Sequence, residues 1–306
     1  MFFEGKTFQD SFYLSLKAFQ NETPQSSFMS TKDFTYKTKD GQSLAITLYG
    51  ADRFGQQPCI LYLHGFKGFK DWGFVPYSGE YFAKHGLSFM CFNFSYNGIG
   101  SDPLTFTEFS KFEKNTFSRE VNETIELVEL LTRTDFFGDD LNHKLGMIGH
   151  SRGGGIALLA GEQLSEVSAL CTWASVSTFD RYDKKDKQQW RKKGYKEIKN
   201  SRTGQVFRMG REMLDDIERN TKGDLNILAA IKSLEKPLLI LHGQEDESVP
   251  YYEAETLNIY SNPASSRMRL IPKASHTFGA KHPFENSTPE LDLTLEVTKD
   301  FFLKQL

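Results

Sequence analysis

Residues 144–155, KLGMIGHSRGGG, restrict the possible fold of this chain more than any other segment. The apolar residues Leu145, Met147 and Ile148 predict a buried strand, and the glycines after Ser151 predict the start of a helix. A sharp strand-to-helix turn crowds its own backbone, so glycine is favoured two residues before and after the serine. Such a turn presents the Ser151 hydroxyl at a helix N-terminus, which favours negative charge. The alternative is a glycine-rich turn whose serine has no chemical role.

Strand and helix patterns alternate on both sides of this segment. Apolar runs predict strands at 58–63, 87–94, 167–176, 236–241 and 267–271, and helical patterns occur at 77–85, 115–133, 155–164, 251–260 and 291–303. Two shorter alternating runs, 34–36 and 44–49, flank the Asp40-Gly41 dipeptide and predict an antiparallel hairpin. Continuous apolar strands separated by helices predict an α/β fold with a mostly parallel sheet and helices on both faces.

Composition excludes several classes of function. The net charge of -3 over 306 residues indicates neither a nucleic-acid partner nor an anionic membrane surface. No apolar run is long enough for a membrane span, and the first residues lack the pattern of a cleaved signal. The three cysteines, Cys59, Cys91 and Cys171, lie in apolar runs and are predicted to be free and buried. We therefore expect a cytoplasmic protein that uses no metal or organic cofactor.

Changes in pattern divide the chain into three parts. Residues 1–30 lack clear periodicity and are predicted to be an N-terminal extension, whereas 31–179 and 235–306 form the α/β core. Residues 180–234 interrupt the alternation and are predicted to be a mainly helical lid over the carboxyl edge of the sheet. The sequence does not indicate an oligomeric state.

The predicted lid is basic. Residues 181–223 carry a net charge of +7, so the rest of the chain carries -10. Two helices are predicted, at 186–198 and 209–219, and the polar residues 201–204 form a turn that could close a short hairpin. The positive charge is consistent either with a solvated helical surface or with a rim that attracts anionic substrates.

Three reactive residue types lie at the ends of predicted parallel strands, where open α/β sheets bind their ligands. Ser151 is the candidate nucleophile and His276, after the last strand, is the candidate base. Asp246 is the candidate acid, although its neighbours Glu245 and Glu247 are alternatives. A serine hydroxyl needs an imidazole to take its proton, and a carboxylate to orient that imidazole. The backbone N–H groups of Arg152 and of Phe66, in His64-Gly65-Phe66-Lys67-Gly68, are the candidate oxyanion donors.

These stretches resemble the serine-dependent α/β-hydrolases, especially small esterases of the cinnamoyl/feruloyl esterase and dienelactone-hydrolase-like groups. The resemblance covers about residues 31–306 and rests on LYLHGFKG (61–68), FNFSYNGIGSD (92–102), GHSRGG (149–154), LHGQEDESVP (241–250) and ASHTF (274–278). It implies the α/β-hydrolase fold, the Ser-Asp-His order of a triad, an oxyanion amide at Phe66 and a lid matching 180–234. The chain departs from the pattern at Asn93 and Ser95, where many relatives have Asp and Arg; that position is mainly structural.

The substrate pocket is less well marked. Phe69, Trp72 and Trp190 are candidate lining residues, each of which is also consistent with core or lid packing. The Arg152 side chain either meets a substrate carboxylate or caps the start of the helix.

Together these features predict a serine hydrolase, most simply a carboxylesterase that acts on a small-molecule ester through an acyl-enzyme. Two alternatives remain: hydrolysis of an acyl-peptide, amide or thioester, and a non-catalytic α/β-hydrolase scaffold that binds a partner.

Overall fold

The computed structural model describes residues 30–138, 141, 144–200 and 203–306 of the chain. Its strands are β1 (Thr31–Lys37), β2 (Ser43–Tyr49), β3 (Cys59–Leu63), β4 (Ser88–Phe92), β5 (Leu145–His150), β6 (Val167–Trp173), β7 (Tyr195–Lys199), β8 (Val206–Gly210), β9 (Leu238–Gly243) and β10 (Ser266–Ile271). Its helices are α1 (Val75–Lys84), α2 (Phe109–Glu113), α3 (Phe117–Arg133), α4 (Arg152–Gln163), α5 (Lys184–Lys193), α6 (Arg211–Asn220), α7 (Ile227–Ser233), α8 (Tyr252–Tyr260) and α9 (Pro289–Gln305). The predicted N-terminal extension, residues 1–30, lies outside the described ranges except for its last residue.

One mixed sheet of eight strands forms the core, in the order β1-β2-β4-β3-β5-β6-β9-β10. The strands from β4 to β10 in this order pair in parallel. The first two strands run antiparallel, β1 to β2 and β2 to β4. The hairpin between β1 and β2 turns at Gly41, whose φ of 81° suits glycine. The predicted α/β-hydrolase architecture, with its N-terminal antiparallel hairpin, is confirmed.

Helices cover both faces of this sheet. Leu127 of α3 and Ile156 of α4 belong to the core cluster on one face, together with apolar side chains of α7 and α8. Phe82 of α1 and Phe302 of α9 belong to the cluster on the other face. The three cysteines are buried and free, as predicted. None of the helices in the described part of the chain is both long and apolar enough to cross a membrane.

The segment between β6 and β9 differs from the prediction in its first half. Helix α5 ends at Lys193 because Gly194 takes a left-handed φ of 85° and its amide N–H bonds back to the carbonyl of Trp190. The following residues form β7, which pairs antiparallel with β8 as a separate two-stranded sheet. The helix predicted over 186–198 is therefore wrong beyond Lys193, whereas the predicted hairpin is present.

The parallel topology positions the candidate site. Strands β5, β9 and β10 run in the same direction, so their carboxyl ends lie along one edge of the sheet. Ser151 follows β5, Asp246 follows β9 and His276 follows β10. Residues far apart in the chain are thereby brought to one edge.

We expect Phe302→Ala to lower the free energy of unfolding by about 3–5 kcal/mol, because it leaves a cavity under α9. Phe302 is fully buried, and a Cβ placed on Gly146 of β5 would lie 2.4 Å from its ring. Urea unfolding measures the change. Leu303 is 52% exposed on the same helix, so Leu303→Ala should stay within about 0.5 kcal/mol of the unmodified protein. Equal effects of the two changes would contradict the packing of α9 described above.

Candidate active site

Ser151 occupies a strained turn between β5 and α4. Its φ of 57° and ψ of -120° are unusual for a residue with a Cβ. A Cβ on Gly149 would lie 2.2 Å from the Gly153 carbonyl oxygen, and a Cβ on Gly153 would lie 2.4 Å from the Leu63 carbonyl oxygen. Both glycines are therefore required sterically, which is the crowding that the sequence pattern predicted.

The structure brings the three predicted reactive side chains into contact. His276 Nε2 lies 3.0 Å from Ser151 Oγ, and His276 Nδ1 lies 2.7 Å from Asp246 Oδ2. Ser151 and Asp246 are buried, while the His276 side chain is 22% exposed. Of the three side chains, His276 is therefore the most accessible from outside.

Asp246 is held as a carboxylate by several donors. Its Oδ1 accepts hydrogen bonds from the amides of Ser248 (2.8 Å) and Val249 (2.9 Å), and His242 Nε2 lies 3.3 Å from Oδ2. Burial by itself raises the pKa of Asp246, but hydrogen bonds from His242 and His276 outweigh burial and hold the pKa well below its usual range.

The ionised carboxylate sets the tautomer of His276. A carboxylate only accepts hydrogen bonds, so His276 Nδ1 must donate to Asp246. In the neutral ring, Nε2 then carries a lone pair directed at the Ser151 hydroxyl. Glu245 and Glu247, the alternative acids, are exposed and have no hydrogen bond to His276 among the described residues.

Two histidines that the sequence left outside the candidate site support His276 and Asp246. His150 donates from Nε2 to the His276 carbonyl oxygen at 2.9 Å, and burial lowers its pKa to about 3. His242 donates from Nε2 to the Val249 carbonyl oxygen at 2.7 Å, in the loop that carries Asp246. A histidine directly before Ser151, and another at the end of the strand before Asp246, were the signals available in the sequence.

The turn that carries Phe66 packs against the serine. A Cβ on Gly65 would lie 2.8 Å from the Ser151 Cβ. The Gly65 carbonyl accepts from the Gly68 amide at 3.0 Å and from His64 Nδ1 at 2.9 Å, which fixes the turn. Within the described residues, the backbone N–H groups of Phe66 and Arg152 have no protein acceptor. Both amides are therefore available to a ligand beside Ser151.

Two cavities flank Ser151, and Ser151 and Phe66 line both of them. The His276-side cavity has a volume of about 190 Å³ and includes the lining residues Lys67, Phe69, Trp72, His150, His276 and Thr277. The Arg152-side cavity has a volume of about 100 Å³ and includes the lining residues Phe117, Arg152, Phe179, Arg181, Tyr182 and Met209. A scissile bond at Ser151 would thus have one cavity on each side.

The predicted pocket residues separate into two groups. Phe69 and Trp72 line the His276-side cavity. Trp190 lines neither cavity: it is buried in the 180–234 segment, where its Nε1 donates to the Gly210 carbonyl oxygen at 3.1 Å. Its indole is used for packing, which was the alternative left open by the sequence. The aromatic residues Phe117 and Phe179, which stack with ring centroids 4.0 Å apart, line the other cavity and were not predicted.

The Arg152 side chain already has an acidic partner inside the protein. Its Nη2 donates to Glu120 Oε1 of α3 at 2.6 Å, and both side chains are buried. Its guanidinium also lies 4.8 Å from the ring centroid of Phe66 and 5.4 Å from that of Phe117. Burial raises the pKa of Glu120 to about 6, against the opposing charge of Arg152. The structure thus gives Arg152 a third role that neither earlier interpretation included.

Side chains that could bind a metal ion do not cluster in the described ranges. No group of three or more His, Cys, Asp or Glu side chains there is arranged to hold a metal ion.

Segment 180–234 contributes Asn200 to the His276-side cavity and Arg181, Tyr182 and Met209 to the other cavity.

Solved structures of similar fold include Est1E from Butyrivibrio proteoclasticus with bound ferulic acid, at 20% identity and a TM-score of 0.65, covering 88% of this chain and 98% of that one. The α/β hydrolase GrgF from Penicillium sp. sh18 has 15% identity and a TM-score of 0.67, over 90% and 99% of the two chains. Dienelactone hydrolase from Anabaena variabilis ATCC 29413 has 15% identity and a TM-score of 0.59, also over 90% and 99%. At these identities the likeness establishes the fold.

A comparison with curated proteins found no match. The model of the prolyl oligopeptidase family, Peptidase_S9, matches residues 95–299, which is more than half of the chain. This range includes Ser151, Asp246 and His276. The chain therefore belongs to the prolyl oligopeptidase family and is a serine hydrolase of the α/β-hydrolase fold.

Proposed function

We propose that the protein hydrolyses a carboxylic ester through an acyl-enzyme, with Ser151, His276 and Asp246 as the catalytic triad. The contact of one imidazole with both Ser151 Oγ and Asp246 Oδ2 carries this proposal. The reaction uses these side chains, the backbone amides of Phe66 and Arg152, and water.

In the first step, Ser151 Oγ bonds to the ester carbonyl carbon while its proton moves to His276 Nε2. The carbonyl electron pair moves to oxygen, and the amides of Phe66 and Arg152 donate to the resulting oxyanion. The bond to the alcohol then breaks, and the departing oxygen takes the proton from His276 Nε2. Water repeats the sequence on the acyl-enzyme and releases the acid.

Several features favour a small ester. The two cavities are of modest volume, and aromatic side chains are prominent in both. Est1E binds ferulic acid and dienelactone hydrolase is named for a lactone, and both share this fold.

We further propose that residues 180–234 form a lid, because four of them line the cavities beside Ser151.

A peptide or amide bond is the second candidate, because the family that matches the chain is named for an oligopeptidase activity. The same triad can attack an ester, a thioester or an amide. Matched p-nitrophenyl ester and p-nitroanilide substrates with one acyl group separate these reactions. We expect the ester to be cleaved with the higher kcat/KM.

Ser151→Ala should lower kcat/KM for p-nitrophenyl butyrate by about 10⁴-fold or more, because the attacking oxygen is removed. Ser101 is exposed in a loop, so Ser101→Ala is the matched control and should keep full activity. A fluorophosphonate probe should label the unmodified protein and not Ser151→Ala. Failure of the folded, unmodified protein to hydrolyse any ester or to label would support the non-catalytic scaffold instead.

Asp246→Asn should lower kcat by about 10³- to 10⁴-fold, because an amide cannot hold His276 in the same tautomer and charge state. Glu245→Gln and Glu247→Gln are matched controls on either side of it, and both residues are exposed. Steady-state kinetics on the same ester measures all three variants. If Glu245→Gln or Glu247→Gln gave the large loss and Asp246→Asn did not, the assignment of the acid would be incorrect.

Gly65→Ala should lower kcat/KM by about tenfold to a hundredfold, because the new Cβ would push the Phe66 turn away from Ser151. Gly223→Ala is the control, since the nearest atom to its added Cβ is 3.8 Å away. Thermal unfolding should show that both variants fold. Full activity of Gly65→Ala would mean that the position of this turn does not matter for the reaction.

A further inference from the structure

The proposed reaction assigns the two halves of the ester to different cavities. His276 Nε2 must give its proton to the departing alcohol, so the alcohol has to lie on the side of His276. His276 and Thr277 line the His276-side cavity and do not line the other one. The alcohol half therefore occupies the His276-side cavity, and the acyl half occupies the Arg152-side cavity.

Lys67 is the residue that gives the alcohol side its charge. It follows Phe66 in the turn beside Ser151, with a left-handed φ of 57°, and its side chain lines the His276-side cavity. It is half-buried, and its Nζ lies 5.7 Å from the Phe66 ring centroid. Among the described residues, Lys67 Nζ has no hydrogen-bond partner and no acidic side chain within 4.0 Å.

The other titratable side chains around this cavity do not balance that charge. No Asp or Glu is among its described lining residues. Burial lowers the pKa of His64 to about 4 and that of His150 to about 3, so both rings are neutral at neutral pH. Burial likewise lowers the pKa of Lys67, and an anion at Nζ would reverse this effect.

The two cavities hold different cations. On the acyl side, Glu120 pairs with the buried guanidinium of Arg152, while the exposed Arg181 donates from Nη2 to the Ser248 carbonyl oxygen at 3.1 Å. On the alcohol side, the ammonium of Lys67 is half-buried and has no acidic partner among the described residues. We propose that the enzyme prefers esters whose alcohol half carries an anionic group, such as a carboxylate, phosphate or sulfate, which pairs with Lys67. This preference rests on the proposed esterase function.

The test compares meta-butanoyloxybenzoate with its neutral primary amide, meta-butanoyloxybenzamide. The measured quantity is the ratio of kcat/KM for the anionic ester to that for the neutral ester, so the intrinsic reactivity of each ester cancels between variants. Lys67→Met, which keeps a side chain of similar length, should lower this ratio about tenfold, as expected for one charge-assisted contact. Lys67→Arg, which keeps the positive charge, should retain most of the ratio measured for the unmodified protein.

Lys32→Met is the matched control, because Lys32 is exposed on β1, at the far edge of the sheet. Its ratio should equal that of the unmodified protein. An unchanged ratio in Lys67→Met, with both esters hydrolysed, overturns the charge preference and leaves the esterase function intact. If no ester is hydrolysed in a Ser151-dependent way, the esterase function itself is overturned instead.

Binding of the product alcohol gives a readout that does not need turnover. Calorimetric titration with meta-hydroxybenzoate and meta-hydroxybenzamide should show that Lys67→Met weakens the benzoate about tenfold more than the amide. Equal weakening of the two ligands, or none, overturns the proposed role of Lys67 even if the protein proves inactive. Thermal unfolding of each variant confirms that it is folded before either measurement.

Discussion

Backbone crowding around Ser151 is the constraint on which the rest of the structure depends. Two chain segments, the turn after β3 and the turn after β5, meet there with so little space that Gly65, Gly149 and Gly153 leave no room for a Cβ. The serine itself takes a left-handed φ, which a residue with a side chain adopts only when its surroundings impose it. The buried strands β3 and β5 impose it, since their parallel pairing fixes the turns at their carboxyl ends. The sheet therefore holds Ser151 beside the amides of Phe66 and Arg152, for which no described residue is an acceptor.

Protonation states around the serine follow from the same packing. Asp246 is buried but receives enough hydrogen bonds to stay ionised, and its charge orients His276. His150 is buried, and burial keeps its ring neutral, so it positions His276 through a backbone carbonyl without adding a competing charge. Placing a single ionised acid beside a single partly exposed base is what an acyl transfer at neutral pH requires.

Two cations near the Phe66 ring, beside Ser151, differ in their partners. The Arg152 guanidinium lies 4.8 Å and Lys67 Nζ 5.7 Å from the ring centroid. The first cation is buried against Glu120, whereas the second lines a cavity that has no acidic side chain among its described lining residues. A buried ion pair mainly fixes structure, while an unpaired, partly solvated cation beside a cavity is available to a ligand. The substrate preference that we propose follows from this difference.

The sequence by itself determined the features that depend on local pattern. Apolar runs marked the parallel strands, Asp40-Gly41 marked the hairpin, and the order of strand ends marked Ser151, Asp246 and His276 as one cluster. Only the tertiary structure showed that the residues after Gly194, which were predicted as helix, form a strand. It also showed that Trp190 packs inside the 180–234 segment and that Arg152 pairs with Glu120. Local sequence patterns indicate the spacing of apolar residues along an element and the positions of turns. The partner of a buried side chain depends instead on which distant segments pack together, and the space left between those segments decides the shape and charge of the cavities.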